Sequence, residues 1–275
     1  MNNKKLIDFL PVLKLYFDKK LGLNVSYRYV EENKELPILF LHGFNGNSKS
    51  WAHQFKYFKN KRSVIAIDFP GFGNSSALDT DMETIANMFI RLLKTLNISS
   101  FQIVGHSMGG MLAQVIAINY EKLVDKLILS CTHNGFAISK EKPLGIDYLK
   151  RIEQRKKLTN KEFGKIRVSK MFAESKIINK ETYKFLASIS EEITEGAISS
   201  GGIAMQTLDT SKSLQNLSIE CLIITATEDI IVSEKQKIAL KNSIPKAISK
   251  ELLNLGHAPY CEDPESFNNL LEEFL

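Results

Sequence analysis

Phe101-Gln102-Ile103-Val104-Gly105-His106-Ser107-Met108-Gly109-Gly110-Met111-Leu112 decides the fold. Phe101 to Val104 is a largely apolar run that reads as a strand. Beyond it Met111, Leu112, Val115, Ile116 and Ile118 recur at helical spacing. Between strand and helix stands a serine flanked by glycines. A turn that tight holds residue 107 in a strained conformation and brings the two backbones so close that a side chain at 105 or 109 would collide. A bare Gly-x-Ser-x-Gly arises by chance in about one chain of this length in ten, so the strand and helix around it carry the reading. Taking Ser107 as an ordinary helix cap would need one polar residue and leave both glycines unexplained.

Outward from this turn the same rhythm repeats. Ile38 to Leu41, Val64 to Ile67, Leu127 to Leu129 and Leu222 to Thr225 are short and almost wholly apolar, as strands covered on both faces should be. Met82, Ile85, Ala86, Phe89, Leu92, Leu93 and Leu96 mark a helix between two of them. Val12 to Phe17 and Leu23 to Val30, joined by the mostly polar stretch Asp18 to Gly22, form an opening hairpin, and Lys250 to Leu253 is a last strand. The class is α/β: a mostly parallel eight-stranded sheet flanked by helices, with its ligand site beyond the carboxyl ends of the strands. From Asn134 to Asn216 the rhythm breaks into amphipathic stretches without a convincing strand. Residues 134–216 are therefore expected to be an inserted helical cap on a core formed by 1–133 and 217–275. The small residues from Glu195 to Gly202 suggest a hinge or loop at its end.

A serine hydroxyl attacks only if a base takes its proton, so a histidine must reach it in space. Of five histidines, His257 follows a strand and precedes a final helix opening near Pro264, where a loop can reach residue 107. His106 is expected to point elsewhere, His42 to prop loop backbone, and His53 and His133 to face solvent or the cap. The histidine needs a carboxylate to hold its tautomer. Asp229, after the run Cys221 to Thr227, fits best, with its neighbour Glu228 and the strand-ending Asp68 as rivals. Two backbone amides should stabilise the oxyanion, those of Met108 and of Phe44 in the glycine-flanked loop after Leu41.

Four blocks now carry a resemblance: Leu41-His42-Gly43-Phe44, Asp68-Phe69-Pro70-Gly71-Phe72-Gly73-Asn74-Ser75, Gly105 to Gly110, and Gly256-His257-Ala258-Pro259 followed by Glu262-Asp263-Pro264-Glu265. In this order they resemble the α/β-hydrolase superfamily over residues 12–275. They are similar to its small capped carboxylesterases, enol-lactone hydrolases, C–C bond hydrolases and pimeloyl-carrier-protein methyl ester esterases. The resemblance implies a Ser107, Asp229, His257 triad acting on a small-molecule ester or thioester, with lactone or C–C bond hydrolysis and cofactor-free perhydrolysis as alternatives. Serine at 107 disfavours the haloalkane dehalogenases and epoxide hydrolases, whose corresponding residue is aspartate. A non-catalytic receptor on the same fold would keep ligand binding when Ser107 is replaced.

Composition narrows the rest. The chain has 275 residues, 44% hydrophobic and 24% charged, as a packed globular domain requires. Its net charge of +5, without a nucleic-acid motif, gives no reason to expect a nucleic-acid partner. Twelve Lys or Arg against five acids between Lys140 and Lys176 make the expected cap basic. A solvated face is the plain explanation; steering of an acidic acyl carrier protein is the sharper one. Cys131, Cys221 and Cys261 show no C-x-x-C spacing and read as buried reduced thiols. Aspartate interrupts the apolar run at the N-terminus, and no stretch approaches the ~18 apolar residues of a membrane span. A cytoplasmic protein without metal or organic cofactor is the expectation; Gly71-Phe72-Gly73 lacks the third glycine of a dinucleotide fingerprint.

Overall fold

The computed structural model describes residues 5–32, 34–175 and 179–275; Lys176, counted in the basic segment, lies outside them. Among the described residues one sheet holds eight strands: β1 (Leu13–Asp18), β2 (Leu23–Val30), β3 (Ile38–Leu41), β4 (Val64–Ile67), β5 (Phe101–His106), β6 (Val124–Ser130), β7 (Glu220–Ala226) and β8 (Ile248–Leu252). Their spatial order is β1-β2-β4-β3-β5-β6-β7-β8. Only the pairs made by β2 are antiparallel. The polar link of the hairpin begins one residue later than its composition suggests, because Asp18 ends β1. Its carboxylate caps the turn by accepting from the Lys20 and Leu21 amides, both at 3.0 Å.

Pleating divides the strands between two cores. Leu39, Leu41, Ile65, Ile67, Phe101 and Ile103 pack on α2 (Met82–Thr95) and α3 (Met108–Asn119). Ile38, Phe40, Val64, Ala66 and Val104 face the other way. There they meet α1 (Ala52–Phe58) and the C-terminal helices α9 (Pro259–Glu262) and α10 (Pro264–Phe274) through Phe55, Phe58, Tyr260, Phe267 and Leu271. This two-sided burial is why the strands read as unbroken apolar runs. From β3 the chain steps to β4 on one side and from β5 it runs outward through β6, β7 and β8 on the other, so a crevice opens between the carboxyl ends of β3 and β5, where such sheets bind ligands.

Between β6 and β7 lie α4 (Ile146–Lys157), α5 (Asn160–Ser169), α6 (Lys180–Ser190) and α7 (Glu195–Thr207); α8 (Glu234–Ser243) follows β7. Three of these helices bury residues in the cores of the sheet, Phe163, Ala197 and Ile198 on one side and Val168 and Leu186 on the other, while Tyr148 and Ile152 of α4 pack against the first. The expected hinge at Glu195 to Gly202 is instead the body of α7, capped by the Thr194 hydroxyl. Its small residues serve close approach. A Cβ on Gly201 would stand 2.6 Å from the Phe44 ring, and one on Gly202 2.9 Å from Leu144 and Tyr148.

Candidate active site

Ser107 ends the turn between β5 and α3 at φ +52° and ψ −118°, a conformation costing about 1–3 kcal/mol for a residue with a side chain. Hydrogen bonds on both its backbone groups hold it there. Its amide donates to Ser130 O at 2.9 Å, and its carbonyl accepts from the Gly110 amide and the Thr132 hydroxyl at 2.9 and 2.6 Å. The flanking glycines are required for space: a Cβ at 105 would lie 2.4 Å from Gly109 O, and one at 109 would lie 2.1 Å from Leu41 O. Every residue from Phe101 to Ala117 is buried except Ser107, which reaches a cavity of about 270 Å³.

His257 lines the same cavity. Its Nδ1 lies 3.0 Å from both carboxylate oxygens of Asp229. Asp229 Oδ1 also accepts from the Ile231 and Val232 amides at 2.8 and 3.1 Å. Burial pushes the Asp229 carboxyl upward, but His257 and these two amides outweigh it and hold it below the ordinary carboxylate range. The rival carboxylates go elsewhere. Glu228 is half-buried and accepts from the Ser175 hydroxyl and amide. Asp68 is buried under the Ser26 hydroxyl and the Ser48 amide, where burial raises it to about 6 against those donors. No hydrogen bond links the Ser107 hydroxyl to His257 in this structure; the two share the cavity wall.

The Phe44 loop forms the opposite rim. His42 props it: Nδ1–H donates to Gly43 O at 2.9 Å, and Nε2 accepts from the Phe69 amide at 3.1 Å, which fixes the tautomer. Burial lowers His42 to about 4 against the Gly43 hydrogen bond, so the ring stays neutral. Among the described residues, neither the Phe44 nor the Met108 amide has an acceptor.

Three histidines depart from expectation. His106 turns its ring toward His257 and Tyr260, with centroids 4.8 Å from each, because the loop after β8 folds back over the turn. His133 is buried in the cavity wall, stacked on Phe136 at 4.7 Å. His53 is largely covered on α1, where burial and then Lys56 lower it to about 4. All three cysteines are buried and free. Among the described residues the one cluster with metal-ligand chemistry is Cys131, Asp229 and His257, whose ligand atoms lie within 4.8 Å. Asp229 and His257 already engage each other there, and burial pushes the Cys131 thiol up, so it offers no thiolate.

Sequence reasoning gave Glu262, Tyr148 and Arg151 no role. Glu262 clamps the His257 loop through backbone amides; it stands in the last of the four blocks, but the sequence does not say what it holds. Tyr148 and Arg151 line the cavity from one face of α4, and their i, i+3 spacing was the available signal.

A family model described as the alpha/beta hydrolase fold matches residues 37–171. The AB hydrolase superfamily protein YisY of Bacillus subtilis is 28% identical over 249 residues, covering 86% of this chain and 91% of that protein. A putative esterase/lipase of Mycoplasma genitalium is 25% identical over 270 residues, covering 94% and 96%. A thermophilic esterase from Thermogutta terrifontis superimposes with a TM-score of 0.82 at 21% identity, covering 96% of this chain and 97% of that one.

Proposed function

This chain belongs to the α/β-hydrolase superfamily, and from that membership we propose that it is a serine hydrolase cleaving a carboxylic ester or thioester through an acyl-enzyme on Ser107. The observation that carries the reading is the Asp229–His257 pair, 3.0 Å apart, lining the same small cavity as a strained serine. Relatives named as esterases support the choice of bond.

With Asp229 holding Nδ1–H, Nε2 of His257 is the basic nitrogen. It takes the Ser107 proton as Oγ bonds to the carbonyl carbon, and the carbonyl π pair moves to oxygen. The Met108 and Phe44 amides receive that oxyanion, each worth on the order of 3 kcal/mol. Collapse breaks the bond to the alcohol or thiol, which leaves with the proton from Nε2. Water, deprotonated by His257, then releases the acid and returns the proton to Ser107.

Residues 134–216 act as a cap in this reading, with α4 and α7 roofing the cavity and excluding water. Lactone and C–C bond hydrolysis and perhydrolysis use the same three residues and differ in the pocket. Steering of an acidic carrier protein would rest on the exposed Lys150, Lys156, Lys157, Lys161 and Lys165. The test is a fluorophosphonate label mapped by peptide, with p-nitrophenyl esters assayed alongside. Labelling at Ser107 and loss of turnover in Ser107→Ala are expected; turnover retained in Ser107→Ala overturns the proposal.

A further inference from the structure

The basic segment is not wholly a solvated face. On α4, Tyr148, Arg151, Ile152 and Arg155 recur at i, i+3, i+4 and i+7 and turn inward, whereas Ile146 and Leu149 are 63% and 43% exposed. Arg155 is satisfied, donating to Ile193 O at 2.7 Å and to the Asn160 side chain. Arg151 is not. Its guanidinium lies 4.8 Å from the centroid of the Phe44 ring, in the wall of the cavity that holds Ser107 and His257.

Among the described residues Arg151 has neither an ion-pair nor a hydrogen-bond partner, and Asp147 on the same helix stays beyond ion-pair range. The other nearby charge is of like sign: Arg167, itself buried against Phe163 at 5.6 Å. Burial and then Arg167 lower Arg151 to about 10, so it still carries its charge at neutral pH. Arg151 is half-buried in the cavity wall and carries a charge without a counter-ion, which an anion arriving through the cavity would pair.

We propose that Arg151 is a specificity residue recognising a carboxylate on the substrate, so that the preferred substrates are half-esters, half-thioesters or lactones of short dicarboxylic acids. This rests on the hydrolase reading above and adds the substrate class. The guanidinium fork accepts a carboxylate bidentately, and stacking on Phe44 leaves its N–H edge free for that purpose. Phe44 ties the two subsites together: its ring lies under Arg151 and its amide faces the proposed oxyanion. Carboxylate and scissile carbonyl are therefore held a short chain apart, as a cavity of about 270 Å³ requires. Tyr148, stacked edge-on against the same ring at 5.8 Å, offers a neutral hydroxyl beside the fork.

The experiment compares p-nitrophenyl hemiglutarate with neutral p-nitrophenyl pentanoate in the wild type, Arg151→Met and Arg151→Lys. The wild type should favour the hemiglutarate in kcat/KM by roughly ten- to a hundredfold, the worth of one or two charge-assisted hydrogen bonds. Arg151→Met should abolish that preference and Arg151→Lys restore part of it. No preference in the wild type, or an equal loss on both esters in Arg151→Met, overturns the proposal. Calorimetric binding of monomethyl glutarate to Ser107→Ala, with and without Arg151→Met, separates the two readings. Arg151-dependent binding without hydrolysis of either ester sinks the hydrolase and keeps the subsite. Hydrolysis of the neutral ester, with binding absent or indifferent to Arg151, does the reverse.

Discussion

Glu262 grips the backbone on both sides of His257. Its carboxylate accepts from the Gly256 amide at 3.0 Å and the Ala258 amide at 3.1 Å, and from the Ala173 amide, beyond α5, at 2.9 Å. The imidazole is thus aimed by its Asp229 hydrogen bond and by a second carboxylate that never touches it. Glutamine at 262 keeps the shape but turns an amide NH₂ toward backbone donors. Glu262→Gln is expected to lower kcat about ten- to a hundredfold with a smaller change in KM, because misplacing a catalytic group by about 1 Å costs that much. An unaltered kcat, measured on a p-nitrophenyl ester beside a melting curve, would leave Glu262 a fold residue only.

Asp229 and Glu228 are neighbours with different partners, which makes them a matched pair. Asp229→Asn places an NH₂ against His257 Nδ1, favours the wrong tautomer and should lower kcat by about 10⁴. Glu228→Gln, at the exposed contact with Ser175, should stay within about threefold, as surface changes do. Equal losses from the two would contradict the assigned roles.

How much of this was legible in the sequence depended on whether a residue's task is local. The strand, turn and helix around Ser107 were readable because the glycine at 105 is demanded by Gly109 O, a contact that the turn itself creates, while the one at 109 answers to Leu41 O at the end of β3. The central strands β3 and β4 were readable because burial on both faces leaves no polar positions, whereas β1 and β2 were readable from the polar link between them. Segment 195–202 was misread because its small residues answer to Phe44 and Tyr148, more than 40 residues away in the chain, and composition records smallness without its reason. His106 was misplaced for a similar cause: Tyr260 and His257 come to it from the far end of the sequence. Arg151 was counted as one positive charge among twelve, since only the helix phase, set by packing on Phe44, turns it inward.

Gly109→Ala tests the turn itself. Alanine is normally the better helix former by about 1 kcal/mol. Here its Cβ would lie 2.1 Å from Leu41 O and 2.8 Å from His42 O, backbone atoms at the end of β3 that cannot step aside. The expected outcome is a net loss of about 1–3 kcal/mol in urea unfolding, with reduced labelling of Ser107. A stabilised variant with normal labelling would show that helix and strand are less tightly apposed.

Stability should fall as the solution is acidified below neutrality, and the buried histidines set the window. His42, His53 and His133 are lowered from 6.5 to about 4, chiefly by burial, and His106 is pushed well below the usual range by burial and then His257. Their folded values are depressed, so their contribution is fully present above 6.5 and is lost as pH falls toward 4. In that window the unfolded chain binds more protons than the native one. For the wholly buried His42 the loss reaches about 2 kcal/mol at pH 5. Asp68 acts in the opposite sense: raised from 3.8 to about 6, it favours the folded state as pH drops through 6. One carboxyl cannot offset four imidazoles, so the net effect is destabilising. Urea midpoints at pH 7, 6 and 5 should decline steadily, and His42→Gln, which removes one titrating group, should flatten the slope while lowering stability at pH 7. A midpoint that holds or rises from pH 7 to 5 would mean these imidazoles are hydrated or paired in the native protein, and the neutral His42 that props the Phe44 loop would have to be abandoned with them.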